Sequence, residues 1–143
     1  MEESIREAFD LVKPDLRQIP ALNLAFLGDA VYELILRHAF TEKNDCRGQK
    51  LHKKVEKYVA AVGQSKIADG LEPFLTEEET AVFKRARNAH PESVAKHATL
   101  TEYRKATALE ALIGYLYLDG QTERAVELVK KGLHYADGNE QKE

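Results

Sequence analysis

Leu22-Asn23-Leu24-Ala25-Phe26-Leu27-Gly28-Asp29-Ala30-Val31-Tyr32-Glu33 decides how this chain is read, and Leu109-Glu110-Ala111-Leu112-Ile113-Gly114-Tyr115-Leu116-Tyr117-Leu118-Asp119 repeats its logic farther along. Each run is apolar, of helical length, and carries one acid where an acid is least expected. A carboxylate set among Leu, Phe, Ile and Tyr gives up water contacts, which is costly unless a cation replaces them. Each run also places a glycine inside a helix, at roughly 1 kcal/mol relative to alanine. A glycine there lets a second helix come close. Two acids on two closely packed helices suit a hard divalent cation, so Asp29 and Glu110 are the candidate metal ligands.

Around these runs the pattern is helical throughout and predicts an all-α bundle. No alternating Val/Ile/Thr stretch and no hairpin dipeptide marks a strand. A first helix is expected from Glu2 to about Val12, ahead of Pro14, and Pro20 can open the next. Leu51, Val55, Tyr58, Val59 and Val62 recur at helical spacing and predict one helix from about Gly48 to Asp69, stopped by Gly70. Thr76-Glu77-Glu78-Glu79 is a capping-box signature for a helix lasting to about Asn88. Ala89 to Leu100 has no period and reads as a loop. Thr99 and Glu102 form a second capping box, before an apolar helix that Asp119-Gly120 ends. Gln121 to Ala136 is a last amphipathic helix with Ala125, Val129 and Leu133 inward, and Asp137 to Glu143 is expected to fray.

The chain has 143 residues, which predicts one domain over residues 1–143 with its core over about 21–136. One cysteine, Cys46, excludes an internal disulfide and suits a reducing compartment. Met1-Glu2-Glu3-Ser4 lacks a signal-peptide core, and no apolar run approaches the ~20 residues of a membrane span, so a cytoplasmic protein with no membrane partner is expected. The net charge of −3 speaks against a nucleic-acid partner, but its distribution does not. Arg47, Lys50, Lys53, Lys54 and Lys57 face a single Glu56, and Lys84, Arg85, Arg87, Lys96, Arg104 and Lys105 face Glu92 and Glu102. A phosphate backbone responds to such local clusters within a Debye length, although solvated helix faces produce them too.

Other chemistries find little support. None of the five histidines stands in a Glu-x-x-His pattern or one turn from another, so oxygen ligands point to magnesium, with manganese as a substitute. No turn presents a serine nucleophile, and the glycines form neither a dinucleotide fingerprint nor a P-loop. Glu33 lies one turn from Asp29 and is a candidate supporting group, with a salt bridge to Arg37 as its simpler role. Asp29 itself can pair with a base, and Glu110 can bond Tyr117 on its own face. Tyr32, Tyr103, Tyr115 and Tyr117 fit a core better than base stacking.

Leu24-Ala25-Phe26-Leu27-Gly28-Asp29-Ala30-Val31 resembles the signature of the ribonuclease III family, and Glu110 to Asp119 resembles that family's second acidic motif. Gly28 to Glu33, Leu51-His52, Arg87-Asn88-Ala89 and Tyr103 to Gly114 resemble most closely its Mini form, which lacks a double-stranded RNA-binding domain. The resemblance runs from about Ala21 to Leu133 and implies the helical ribonuclease III endonuclease fold, working as a homodimer. It implies Mg²⁺-dependent cleavage of double-stranded RNA, with precursor large-subunit (23S) ribosomal RNA as substrate and a ribosomal protein as a possible aid on it. By motif position, Asp29 corresponds to the catalytic aspartate and Glu110 to the metal-binding glutamate. Ala25 and Thr107 stand where longer family members have acids, leaving fewer carboxylates; Thr107 becomes a candidate to orient water. Lys84, Arg85, Arg87, Asn88, Lys96, His97 and Arg104, with Lys50, Lys53 and Lys54 as a second strip, are the candidate RNA contacts. Apolar residues between Phe26 and Phe40 are expected to supply the dimer contact. The alternatives are a non-catalytic RNA-binding or ribosome-assembly protein of this fold, and a helical protein-interaction module.

Overall fold

The computed structural model describes residues 1–89 and 98–138. Among them are seven α-helices and no strand: α1 (Glu2–Ala8), α2 (Ala21–Lys43), α3 (Gln49–Val59), α4 (Ala61–Leu71), α5 (Glu77–Arg87), α6 (Leu100–Leu118) and α7 (Thr122–Ala136). Short 3₁₀ turns at Leu16–Gln18 and Glu72–Phe74 precede α2 and α5. The all-α expectation holds.

Helix α6 is the axis of the bundle. From Ala106 to Tyr117 every residue is buried except Glu110, and α2, α4, α5 and α7 all pack on it. A helix apolar on every side can be stable only inside such a jacket. Its start is fixed by the expected capping box: Thr99 Oγ1 accepts from Glu102 N at 3.1 Å, and Glu102 Oε1 accepts from Thr99 N at 3.0 Å. The same box opens α5 through Thr76 and Glu79. Glu79 has a second task, since Arg124 of α7 donates to both of its oxygens at 2.8 Å while also bonding Phe74 O at 2.7 Å.

Two expectations fail. The first helix stops at Ala8 rather than near Val12, because the chain turns through Asp10, whose φ is +55°. The helix expected from Gly48 to Asp69 is two helices. Ala60 adopts an extended ψ of 151°, so α3 ends and α4 starts on either side of it. Gly70 does not stop anything; it lies inside α4, where a Cβ would strike the ring of Tyr135. The periodicity was real in both segments, but a break at an ordinary alanine leaves no local mark.

The corner at Ala60 is held by tertiary contacts. Ending α3 frees backbone carbonyls, and the fully buried Tyr32 of α2 donates its hydroxyl to Tyr58 O at 2.6 Å. Gly63 permits the close return of the chain, because a Cβ there would collide with Lys57 O and approach Tyr58 Cα to 3.0 Å. Among the described residues, no helix is long and apolar enough to cross a membrane.

Candidate active site

The two glycines do what their sequence setting predicts. A Cβ on Gly28 would overlap the carbonyl oxygen of Glu110 and stand 2.8 Å from Gly114 N. A Cβ on Gly114 would strike Leu24 O and lie 3.1 Å from Gly28 N. Helices α2 and α6 therefore touch backbone to backbone. The acids beside these glycines are carried to the same place.

Glu110 and Asp29 meet at this crossing, close enough for the Asp29 carboxylate to act on the Glu110 carboxyl. Burial, and then the charge of Asp29, push the Glu110 carboxyl up to about 8; the amide of Gln64 acts in the opposite sense. No lysine, arginine or histidine among the described residues contributes to its environment. The two acids are less alike than their settings suggest. Glu110 is half-buried, whereas Asp29 is exposed at the rim, because Gly28 occupies the contact line and its neighbour sits about 100° around the helix.

Gln64 is the functional candidate that the sequence reading missed. It is buried in the first turns of α4, and its Nε2 donates to Glu110 Oε2 at 3.2 Å. The break at Ala60 is what delivers it. Tyr117, expected as a partner of Glu110, faces the neighbourhood of Glu2 and Arg6 instead; Tyr32 is the tyrosine near Glu110. Burial, and secondarily that carboxyl, push the Tyr32 hydroxyl far up, which keeps it a donor. Tyr32, Tyr115 and Tyr117 are core residues, as expected.

The remaining candidates divide. Glu33 pairs with Arg37 one turn on, the simpler role foreseen for it. Thr107 is buried, and its hydroxyl donates to Tyr103 O at 3.0 Å, so only its lone pairs are left for another partner. Lys84 and Asn88 are exposed at the end of α5 with Arg87 half-buried beside them, and Arg85 donates to Ile19 O at 3.1 Å. Arg104 is half-buried, its Nε without a hydrogen-bond partner among the described residues. On α3, Lys50 and Lys53 are exposed, while Lys54 pairs with Asp45 at 3.0 Å and lies over the Phe40 ring. Lys105 pairs with Asp69 at 2.7 Å. The two strips thus stand on separate helices. Lys96 and His97 lie outside the described residues, with most of the expected loop and of the frayed tail.

The residues at the crossing fit a hard divalent cation. They offer carboxylate oxygens, and they are held together at a cost in burial and like charge that a cation offsets. No group of three or more His, Cys, Asp or Glu side chains suited to a metal occurs among the described residues, so two protein carboxylates would leave most positions to water, as magnesium tolerates.

Comparison with known proteins gives consistent matches over most of the chain. The Ribonuclease III domain family matches residues 22–121, from the α2 signature to just past α6. A Mini-ribonuclease 3 of Clostridium tetani is 42% identical over 135 residues, covering 94% of this chain and 89% of that one. A Mini-ribonuclease 3 of Brevibacillus brevis is 44% identical over 130 residues, covering 88% and 97%. A crystal structure of a Fusobacterium nucleatum protein superposes with a TM-score of 0.73 at 36% identity, covering 81% of this chain and 93% of that one.

Proposed function

Because this chain belongs to the ribonuclease III family, its activity is that of an endoribonuclease, and we propose that it cuts double-stranded RNA at the Asp29–Glu110 crossing with Mg²⁺. The observation that carries this reading is the pair itself. Two carboxylates from helices far apart in the chain converge, one of them half-buried, with no cationic side chain among the described residues to neutralise Glu110. A structural ion pair would include a lysine or arginine. This pair leaves the positive charge to be supplied from outside.

Asp29 and Glu110 would hold the ion. Bound there, magnesium supplies Lewis acidity, lowering the pKa of water and offsetting charge on the phosphate. Gln64 fixes the rotamer of Glu110 through its amide and so limits where the carboxylate oxygens can lie. In the hydrolysis, water adds to phosphorus and the bond to the 3′ oxygen breaks. That oxygen leaves as a 3′-hydroxyl by taking up a proton given up by the water, and the new chain end keeps a 5′-phosphate. Thr107 has its hydroxyl proton committed to Tyr103 O, which restricts it to accepting a bond beside Glu110. Glu33, committed to Arg37, shapes the rim rather than the reaction.

Duplex RNA is bound by its shape, backbone and 2′-hydroxyls. Lys84, Arg85, Arg87, Asn88 and Arg104, with Lys96 and His97 from the intervening segment, are the first contact strip; Lys50, Lys53 and Lys54 are the second. One site cuts one strand, so both strands need two sites related by a two-fold axis. The exposed Phe26 and Leu34 on α2 would supply the apolar contact of that homodimer, whereas Leu36 and Phe40 are buried within the monomer. Precursor large-subunit (23S) ribosomal RNA in the cytoplasm is the proposed substrate, as the resemblance of the motifs to the Mini form implies.

The test is cleavage of deproteinised ribosomal precursor and of a plain RNA duplex with Mg²⁺, with product ends mapped. The expected result is cutting on both strands to give 5′-phosphate ends, with binding that weakens steeply as salt rises. Binding without any product would leave an RNA-binding protein of the same fold, and cutting of the duplex but not of the ribosomal precursor would remove the proposed substrate.

A further inference from the structure

Helix α1 contributes no buried residue, and its seven residues fall well below the ~12–15 at which an isolated helix becomes even marginally stable in water. Its moorings are polar: Arg6 Nη2 donates to Leu118 O at 2.7 Å, and just beyond the helix Lys13 Nζ pairs with Asp119 at 3.0 Å. The apolar side chains of the same segment meanwhile face outward. Phe9 is 72% exposed and Val12 90%, with Ile5 and Leu11 also exposed. A monomer gains nothing from that arrangement.

The position of the segment shows what can cover it. Gly28 meets Glu110 and Gly114, and Gly114 meets Leu24, so α2 and α6 run antiparallel. The last turn of α6 therefore lies beside the first turns of α2. Arg6 and Lys13 moor residues 1–13 at the end of α2 where Leu22 is exposed and Phe26 is 84% exposed. Both apolar sets thus adjoin the junction of the end of α6 with the start of α2.

We propose that residues 1–13 form part of the homodimer interface, laid together with the exposed face of α2 against a second copy of this chain. The inference rests on the dimer reading above and deepens it. Area favours a second copy: Leu22, Phe26 and Leu34 together expose roughly 350 Å² of side chain, under half of the ~800 Å² per partner in a standard interface. Ile5, Phe9, Leu11 and Val12 roughly double that area. Charge disfavours RNA as the occupant. Glu2, Glu3, Glu7 and Asp10 outnumber Arg6 and Lys13, and both bases are already engaged on α6 and its end.

The experiment is sedimentation equilibrium on the full chain, comparing wild type, the double variant Phe9→Ser/Val12→Ser, and Phe26→Ser. Melting of each is followed at a concentration low enough to hold monomer. The expected result is a wild-type dimer whose dissociation constant rises by about tenfold or more in the double variant, while monomer melting stays put. An unchanged constant in the double variant beside a weakened Phe26→Ser would overturn the proposal, leaving α2 as the whole interface. A lowered melting temperature of the monomer would also overturn it, because the segment would then be packing on its own chain. A wild type that stays monomeric throughout removes the dimer reading itself, a failure visible without any variant.

Discussion

The crossing of α2 over α6 and the corner between α3 and α4 both place a glycine against a backbone carbonyl, and both deliver a polar side chain to the same carboxyl group. They differ in what specifies them. At the crossing, Gly28 and Gly114 sit inside long apolar helices, and the acids they accompany stand out against their neighbours. At the corner, Gly63 and Gln64 follow a stretch whose helical period runs on without interruption. The crossing is specified by each strand of sequence alone, the corner by contacts with a third element, Tyr32. The candidate site thus combines one part that any close reading finds and another that appears only once the chain is folded.

The largest expected effect comes from removing the chemistry of the crossing while keeping its packing. Asp29→Asn and Glu110→Gln should each lower duplex cleavage by about a thousandfold or more, with RNA retention in filter binding largely unchanged. Equal cleavage by Asp29→Asn would separate the crossing from catalysis. Glu110→Gln also tests the electrostatics. In cation-free protein the folded Glu110 carboxyl titrates near 8 against an ordinary value of 4.5, so between those values the folded state holds a proton that the unfolded state has released. That contribution is complete at the acid end and is lost as pH rises through the folded value. Thermal melts without divalent cation should fall from pH 5 to pH 8 in wild type and fall less in Glu110→Gln.

Gly28→Ala attacks the packing instead. A methyl group at this position meets the Glu110 carbonyl with no flexible side chain to give way, and a loss of about 3 kcal/mol, some 10 °C in melting temperature, is expected. If the variant melts like wild type, the helices are not in backbone contact.

The corner should respond more mildly. Gln64→Ala is expected to reduce cleavage by roughly 10- to 100-fold through a higher Mg²⁺ requirement, with duplex binding unaffected. A loss that excess Mg²⁺ does not recover would place Gln64 outside the cation site. Tyr32→Phe removes only a hydroxyl, but it strands the buried Tyr58 carbonyl, and urea unfolding should register about 1–2 kcal/mol. No change there would mean that Gly63 alone sets the corner.

What the sequence made legible follows this division. Capping boxes at Thr76 and Thr99, the stop at Asp119-Gly120 and the apolar course of α6 are local signals, and all appear where local physics puts them. Glu33 pairs with Arg37 because i to i+4 geometry depends on the helix alone. The exposure of Asp29 was not legible, since composition reports that an acid lies in an apolar run but not which side of the helix it occupies. Gln64 was not legible either. A glutamine in a helix is unremarkable until a helix break at Ala60 and a tyrosine from another helix turn it toward Glu110.

Glu79 has a consequence of its own, far from the crossing. Its carboxylate closes the cap of α5 and simultaneously grips Arg124 of α7, and Arg124 above all, followed by the Thr76 amide, holds it below the usual carboxylate range. Acid that titrates this one group would loosen the start of one helix and unclasp another in the same event. Glu79 is therefore a fastener shared by two helices, the opposite of Glu110: one rewards losing its proton, the other keeping it. Between them they confine the cation-free protein to a favoured band of acidity, and a bound ion at the crossing would widen that band on its alkaline side.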